Sequence, residues 1–339
     1  MRTRRILRAA GAVLAGTLAI RAIARGFSPR RMNGHVVFIT GGSRGLGFAI
    51  ALEAASRGAR IVLCGREQDT VERAVERLRE RGAEVLGLTC DVRESASVTA
   101  AVRAAFEQFG RIDMLVNNAG TISVGPLESL TRQDYEDAMN THFWGMYNAV
   151  EAARPIMQHQ GGGRIANITS IGGKVSVPHL LAYSASKFAA VGYSEGLRAE
   201  LAPKRISVTT VCPGLMRTGS PRNAFFKGQH RKEYTWFTLS DTLPGLSIGA
   251  RAAARAVLDA ALRNQAEVVL SLPAQSIALL HGIAPAFVSN LMRLSASLLP
   301  GPGGVEQQRM RGHESSTAAT ESPLTALGKK AERQYNQIG

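Results

Sequence analysis

Short apolar runs alternate along most of the chain with longer segments whose apolar residues recur at helical spacing. The run at 35–39 predicts a buried strand, and the next apolar residues, Phe48, Ile50 and Leu52, begin one face of a helix. Further strands are predicted at 60–64, 84–89, 112–116, 164–169, 206–211 and 266–270. Strands that alternate with helices pair in parallel through right-handed crossovers. The pattern therefore predicts an α/β fold with a doubly wound parallel sheet, the Rossmann arrangement.

Three segments depart from this alternation. Residues 216–247 mix arginine, aromatic residues and glycine without a clear period, which predicts a mobile loop over a site. Residues 271–300 hold a helical apolar stripe with Arg293 as their only charged residue. This stripe indicates core or an oligomer interface, with a lid that contacts a membrane as the alternative. The rest, at 301–339, is expected to be loosely ordered.

The net charge of +15 is concentrated at the N-terminus, where the first 31 residues hold eight arginines and no acid. This arm accounts for about half of the excess positive charge. A basic face that binds nucleic acid is therefore not needed to explain the net charge. The apolar run at 9–20 is too short for a membrane span, which needs ~20 residues. A cationic helix lying on an anionic membrane surface is favoured, with a poorly ordered basic leader as the alternative. We therefore divide the chain into an arm (1–32), a catalytic domain (33–270) and an extension (271–339).

The cysteines bear on location. Cys64, Cys90 and Cys212 end three separate predicted strands, and an odd number without a disulfide framework fits a reducing compartment. We expect them to be packing residues in a cytoplasmic protein that is peripheral on the inner face of the membrane. The sequence shows no zinc-finger spacing, and no metal is predicted.

A glycine-rich turn, Thr40 to Gly47, joins the first predicted strand to the first helix. Glycines lack Cβ, so the backbone can approach a pyrophosphate closely, and the N–H groups at the helix start attract its charge. The turn is therefore interpreted as a dinucleotide cradle at the carboxyl edge of the sheet. A tight strand-to-helix turn without a ligand is the alternative.

Further motifs follow in order. Tyr183 and Lys187 are four residues apart in a predicted helix, so both side chains lie on one face. Ser170 ends the preceding strand, and Asn140 lies in the long helix before it. With the glycine-rich turn, Asn117-Asn118-Ala119-Gly120 and Pro213-Gly214, these residues resemble the short-chain dehydrogenase/reductase family over about residues 33–270, in the branch with T-G-x-x-x-G-x-G and Y-x-x-x-K.

The resemblance implies a catalytic role for four residues. Tyr183 would act as the acid or base, and Lys187 would lower the pKa of its phenol. Ser170 would hydrogen-bond the carbonyl oxygen, and Asn140 would anchor a water in a proton relay. The implied cofactor-binding residues, besides Tyr183 and Lys187, are Gly41, Ser43, Arg44, Gly45, Leu46, Gly47, Arg66, Asp91, Val92, Asn118, Gly120, Pro213, Gly214 and Thr218.

The charge near the second strand favours NADP(H). NAD enzymes place an acid at the end of this strand, where the chain has Gly65 followed by Arg66, and Arg44 lies in the glycine-rich turn. Two guanidiniums suit a 2′-phosphate. The alternative is that Arg66 is only a surface residue.

We therefore expect an NADP(H)-dependent enzyme that interconverts a ketone or aldehyde and an alcohol. The aromatic residues Phe225, Phe226, Trp236 and Phe237 suggest an apolar substrate. The long helices at 131–157 and 183–201 are candidates for pairing in a homo-oligomer. The competing hypotheses are a catalytically silent cofactor sensor and a membrane-associated scaffold.

Overall fold

A parallel sheet of seven strands forms the centre of the protein, in a computed structural model that describes residues 30–338. The strands along the chain are β1 (Val36–Thr40), β2 (Arg60–Gly65), β3 (Val85–Thr89), β4 (Met114–Asn117), β5 (Ser123–Val124), β6 (Gly163–Ile168), β7 (Ile206–Pro213), β8 (Leu215–Arg217), β9 (Phe225–Phe226), β10 (Ser247–Gly249), β11 (Glu267–Leu270) and β12 (Met310–Arg311). The central sheet has the order β11-β7-β6-β4-β1-β2-β3. This confirms the predicted doubly wound sheet.

Helices cover both faces of the sheet. They are α1 (Gly45–Ser56), α2 (Gln68–Arg79), α3 (Ser95–Phe109), α4 (Arg132–Met139), α5 (Gly145–His159), α6 (Leu181–Leu201), α7 (His230–Thr242), α8 (Ala250–Leu262), α9 (Leu272–Ile283), α10 (Pro285–Ala296) and α11 (Ala326–Gln334). Helices α1, α2 and α8 pack on one face, and α3, α5 and α6 pack on the other.

Strand β1 shows why its sequence is a continuous apolar run. All five of its residues are buried, with Val37 and Ile39 in the core on one face and Val36 and Phe38 in the core on the other. Successive side chains of a strand point to opposite faces, so a strand covered on both sides needs apolar residues throughout. The neighbours β2 and β4 flank β1, and the strand order reverses between β1 and β4. Ligands of such sheets bind at this reversal, beyond the carboxyl ends of the strands.

The predicted loop at 216–247 is wrong, because most of this segment has secondary structure. It holds the thirteen-residue helix α7 and the short strands β8 and β9. Apolar residues of this helix pack with Phe226 in a small separate core. The aromatic residues obscure the helical pattern of the sequence because several of them are buried in this small core and not in the main one.

The extension after residue 270 also differs from the expectation. Helices α9 and α10 form a pair in which only Ala274 and Val288 are buried, so the apolar stripe is not part of the core. The loosely ordered tail is likewise a wrong prediction. Its strand β12 pairs with β9, and Tyr335 at its end is buried in the main core.

The basic arm at 1–32 lies almost wholly outside the described residues, and its membrane-surface interpretation stays a prediction. Within the described part of the chain, no helix combines the length and the apolar character that crossing a membrane requires.

Candidate active site

A cavity opens at the carboxyl ends of β1, β2, β4 and β6, where the strand order reverses. The predicted residues that line it are Gly41, Ser43, Arg44, Gly45, Leu46, Arg66, Asp91, Val92, Asn118, Gly120, Tyr183, Lys187 and Thr218. Most of the site predicted from the sequence is therefore brought together in one place. Five predicted residues do not line the cavity, namely Gly47, Asn140, Ser170, Pro213 and Gly214.

The glycine-rich turn is shaped by close backbone contacts. Gly41 has a φ of +61°, and a Cβ on it would lie 2.8 Å from the Cα of Ala119. A Cβ on Gly47 would lie 2.2 Å from the carbonyl oxygen of Gly41. Neither position has room for a side chain, so the turn stays tightly folded against α1. Such a turn at a helix N-terminus fits the pyrophosphate of a dinucleotide.

Asn118 fastens the end of β4 to this turn. Its side-chain Nδ2 donates to the carbonyl oxygens of Thr40 and Gly41, at 3.1 and 3.0 Å. The hydroxyl of Thr40 in turn accepts from the backbone N–H groups of Asn118 and Ala119. Asn118 thus lines the cavity and also connects the end of β4 to the glycine-rich turn.

Tyr183 and Lys187 lie on the face of α6 that meets the cavity. The Nζ of Lys187 is 5.7 Å from the centre of the Tyr183 ring and donates to the carbonyl oxygen of Ile168 at 3.0 Å. Burial lowers the pKa of Lys187 to about 8. Ser170 hydrogen-bonds the phenol of Tyr183 and also accepts from the N–H of Gly172 at 2.9 Å.

Lys187 was expected to lower the pKa of the Tyr183 phenol, but another effect dominates that pKa in this structure. Burial raises the pKa of Tyr183, and the hydrogen bond from Ser170 opposes that rise. Removing a phenolate from water is costly, and Lys187 is itself buried. The protein alone therefore keeps the phenol protonated, which is the form that a proton donor needs.

Asn140 is not at the site, which corrects the prediction for it. Its side chain is exposed and does not line the cavity. The long helix predicted at 131–157 is interrupted here by a five-residue π turn, Asn140–Trp144. Residues two positions apart on a helix point in nearly opposite directions, so the side chain that enters the site is His142.

His142 is buried against Tyr183, and the two rings meet edge to face with centres 5.3 Å apart. Its Nε2 accepts from the N–H of Thr121 at 3.1 Å, and its Nδ1 lies 2.7 Å from the hydroxyl of Ser186. Because that hydroxyl donates to the carbonyl oxygen of Tyr183, the proton of the imidazole is assigned to Nδ1.

The environment of His142 keeps it neutral. Burial, and then the nearby ammonium of Lys187, hold its pKa well below the usual range. Both ring nitrogens are occupied, so His142 offers no free nitrogen to a proton relay. The sequence contained this residue two places from the predicted one, but only the π turn shows which of them faces inward.

The end of the cavity next to β2 carries several charges. Arg44 forms an ion pair with Glu67 at 3.5 Å, and Asp91 pairs with Arg93. Arg66 also lines this end and forms no ion pair within the described part of the chain. Glu67, which the sequence reasoning missed, lies only two residues beyond the strand end where an acid was judged absent.

An acidic residue could not replace Gly65 without a rearrangement of its surroundings. A Cβ there would lie 2.7 Å from the hydroxyl oxygen of Ser43 and 3.2 Å from a methyl group of Val71. An acidic side chain at this position would therefore push against the glycine-rich turn. The charged side chains at this end of the cavity are those of its neighbours, such as Arg66 and Glu67.

The family is shown by comparison with known proteins. The family model described as short chain dehydrogenase matches residues 35–226, more than half of the chain. A 3alpha-hydroxysteroid dehydrogenase of Mediterraneibacter gnavus is 36% identical over 185 residues, which cover 54% of this chain and 71% of that protein. The chain belongs to the short-chain dehydrogenase/reductase family, and hence to oxidoreductases that act on carbonyl and alcohol groups.

Solved structures agree with this assignment. A short-chain dehydrogenase/reductase of Burkholderia phymatum in complex with NAD has a TM-score of 0.66 and 25% identity, covering 75% of this chain and 95% of that one. A variant of actinorhodin polyketide ketoreductase with NADPH has a TM-score of 0.62 and 30% identity, covering 70% and 95% of the two chains. Both nicotinamide cofactors thus occur among the similar structures.

Across residues 30–338, no three histidine, cysteine, aspartate or glutamate side chains are grouped so that they would hold a metal ion. The three cysteines are buried and form no disulfide with one another.

Proposed function

We propose that this protein is an NADP(H)-dependent reductase of apolar ketones or aldehydes, with Tyr183 as the proton donor. The observation that supports this most directly is the position of Tyr183 beside Ser170 and Lys187, in a cavity that begins at the glycine-rich turn. When bound, the cofactor supplies the hydride. The protein supplies the proton, the hydrogen bonds that orient the carbonyl, and the surface that excludes water.

The proton transfer follows from the site geometry. A carbonyl oxygen next to Tyr183 and Ser170 accepts hydrogen bonds from both hydroxyl groups as negative charge develops on it. Tyr183 then passes its proton to that oxygen. The ammonium of Lys187, close to the ring, stabilises the resulting phenolate electrostatically. His142 keeps the tyrosine ring in place and takes no part in the transfer.

Charge near the adenosine end favours NADP(H) over NAD(H). Arg44 and Arg66 face the cavity, while its two carboxylates, Glu67 and Asp91, each already pair with an arginine. An unpaired guanidinium suits a 2′-phosphate, and a carboxylate engaged by Arg44 is poorly placed to accept from ribose hydroxyls.

The apolar substrate is supported by Ile122, Ala224 and Phe225, which line the same cavity as Tyr183. The other aromatic residues expected at the mouth do not reach it. Phe226 and Phe237 are buried in the small core behind this wall. Their contribution is to hold Phe225 and its neighbours in position.

A second copy of the chain is the proposed partner. The side chains of Trp144 and Tyr147 at α5 and Phe188 on α6 are exposed, by 48%, 39% and 43%. These are the helices that the sequence suggested for pairing. Exposed large aromatic residues favour burial between subunits. Sedimentation of the wild type and of Trp144→Ser tests this, since the variant should shift toward the monomer.

The experiment for the cofactor compares NADPH and NADH binding in the wild type, Arg66→Gln and Arg79→Gln. Loss of one guanidinium–phosphate contact should raise the NADPH dissociation constant by about tenfold in Arg66→Gln, with NADH changed much less. Arg79 is exposed on α2 outside the cavity and controls for net charge. Equal weakening of both cofactors would contradict the NADP(H) assignment, as would tighter binding of NADH by the wild type.

A further inference from the structure

The C-terminal tail returns to the cofactor cavity, although it lies outside the segment that the family model matches. Strand β12 adds to β9, with Arg311 opposite Phe225. After α11, the last described residues run along the glycine-rich turn. Two tail residues, Arg311 and Gln337, line the same cavity as Tyr183.

The segment 335–337 is fastened directly to the glycine-rich turn. The carbonyl oxygen of Tyr335 accepts from the N–H of Gly45 at 2.8 Å. The side-chain Nδ2 of Asn336 donates to the carbonyl oxygens of Ser43 and Thr70, at 2.8 and 3.1 Å. Asn336 is buried and has a φ of +57°, a conformation that asparagine tolerates better than most residues. Specific hydrogen bonds therefore join the tail to the glycine-rich turn.

Gln337 joins the turn to the opposite wall of the cavity. Its Nε2 donates to the carbonyl oxygen of Thr218 at 3.2 Å, and its Oε1 accepts from the side chain of Asn223 at 2.7 Å. The same Nε2 lies 2.8 Å from where a Cβ of Gly45 would be. The tail therefore spans the cavity from α1 to the segment after β8.

The tail leaves the anion-binding groups of α1 available. The first N–H groups of a helix have no partner within it. Gly45 donates to the tail, but no described residue accepts from the N–H of Leu46 or Gly47. A phosphate group would thus have two backbone donors at the edge of the tail, so the tail and a dinucleotide are compatible neighbours.

Arg311 adds a positive charge to this edge. Its guanidinium lies over the ring of Phe225, 4.7 Å from the ring centre, and no acidic side chain of residues 30–338 lies within ion-pair distance of it. Burial, and then the nearby guanidiniums of Arg311 and Arg66, lower the pKa of Arg44. Guanidiniums that face one cavity repel each other, and an anionic ligand between them relieves that repulsion.

We propose that the tail is the outer wall of the dinucleotide site, with Arg311 and the side-chain amide of Gln337 as ligands of the pyrophosphate. This inference rests on the proposed function. It assigns binding residues from a part of the chain that the family model does not match. Tight cofactor binding then requires the tail in its observed position, and the tail does not block the cofactor.

The test measures dissociation constants of NADPH, NADH, ADP and adenosine for the full-length wild type, Arg311→Gln and Asn336→Asp. All ligands except adenosine carry the pyrophosphate. Arg311→Gln should therefore weaken NADPH, NADH and ADP by a similar factor of about ten and leave adenosine unchanged. Asn336→Asp removes the amide donor while keeping a residue that tolerates positive φ, and it should weaken the same three ligands.

Two further variants keep the result interpretable. Arg333→Gln makes the same charge change at an exposed tail position outside the cavity and should leave all four constants unchanged. Asn336→Gly loses the amide without introducing a charge and should weaken the same ligands as Asn336→Asp. Thermal unfolding of each variant shows whether the fold is retained.

Each other outcome overturns the proposal in a distinct way. Weakening of NADPH alone by Arg311→Gln would make that residue a 2′-phosphate ligand, and tighter binding by the Asn336 variants would make the tail an inhibitor. Unchanged dissociation constants in every variant would show that the tail is not a wall of the dinucleotide site. In all three cases the wild type still binds and reduces carbonyls with NADPH, so the proposed function stands. Absence of any dinucleotide binding by the wild type would overturn both.

Discussion

Asp241 on α7 is buried, and its replacement by asparagine gives a quantitative test of how this fold treats a carboxyl group. The side chain is 6% exposed and accepts from the backbone N–H of Met216 at 3.0 Å. No lysine or arginine of residues 30–338 forms an ion pair with it. Burial raises its pKa from 3.8 to about 7, against the opposing effects of the Met216 hydrogen bond and Arg217.

The magnitude follows from the two pKa values. Between about pH 4 and pH 7 the folded protein holds a proton that the unfolded chain has released, so stability falls as the pH rises. The full difference, reached above pH 7, corresponds to on the order of 4 kcal/mol. Asparagine keeps an oxygen that accepts from Met216 and never ionises. Asp241→Asn should therefore gain on the wild type as pH rises, by roughly 10 °C in Tm at pH 8.

The assay is thermal unfolding of both proteins at pH 5, 6, 7 and 8. The matched control is Asp69→Asn, which neutralises an exposed carboxylate at the start of α2 and should bring no such gain. A difference between Asp241→Asn and the wild type that stays constant with pH would refute the reasoning. A variant that is less stable than the wild type at pH 8 would refute it more strongly.

Three further predictions concern the site itself. His142→Ala leaves the N–H of Thr121 without its acceptor and should cost about 2 kcal/mol in urea unfolding, with kcat lowered and KM little changed. Carbonyl reduction should decline as pH rises through about 8, where Lys187 loses its charge, and a rate–pH profile of Lys187→Met should lack that step. Gly47→Ala places a Cβ against the backbone of Gly41 and should weaken NADPH binding by about tenfold or more in a fluorescence titration.

The sheet was predictable because its chemistry is local. A strand covered on both faces must be apolar throughout, as β1 is, and the glycine-rich turn follows directly in the sequence. The pair Tyr183 and Lys187 was predictable for a similar reason, since four residues on a helix fix their relative direction. In each case the signal lies within a few residues.

Other features depend on contacts that no local pattern encodes. The choice between Asn140 and His142 depends on a π turn, which changes the angle between successive residues without a sequence signature. The role of residues 335–337 depends on where α11 ends relative to a turn nearly 300 residues earlier. Their polar composition is equally typical of a disordered tail. Glu67 was missed because the sequence argument considered the strand end alone.

Turnover by Tyr183→Phe tests the central claim most directly. The variant removes only the phenol oxygen and should lower NADPH-dependent carbonyl reduction by at least about 100-fold, with the NADPH dissociation constant unchanged within about twofold. Tyr193→Phe is the matched control on the same helix, since the Tyr193 hydroxyl is buried without a hydrogen-bond partner in the described structure. Loss of turnover in the first variant alone would agree with Tyr183 as the proton donor. Retained turnover in Tyr183→Phe would contradict it.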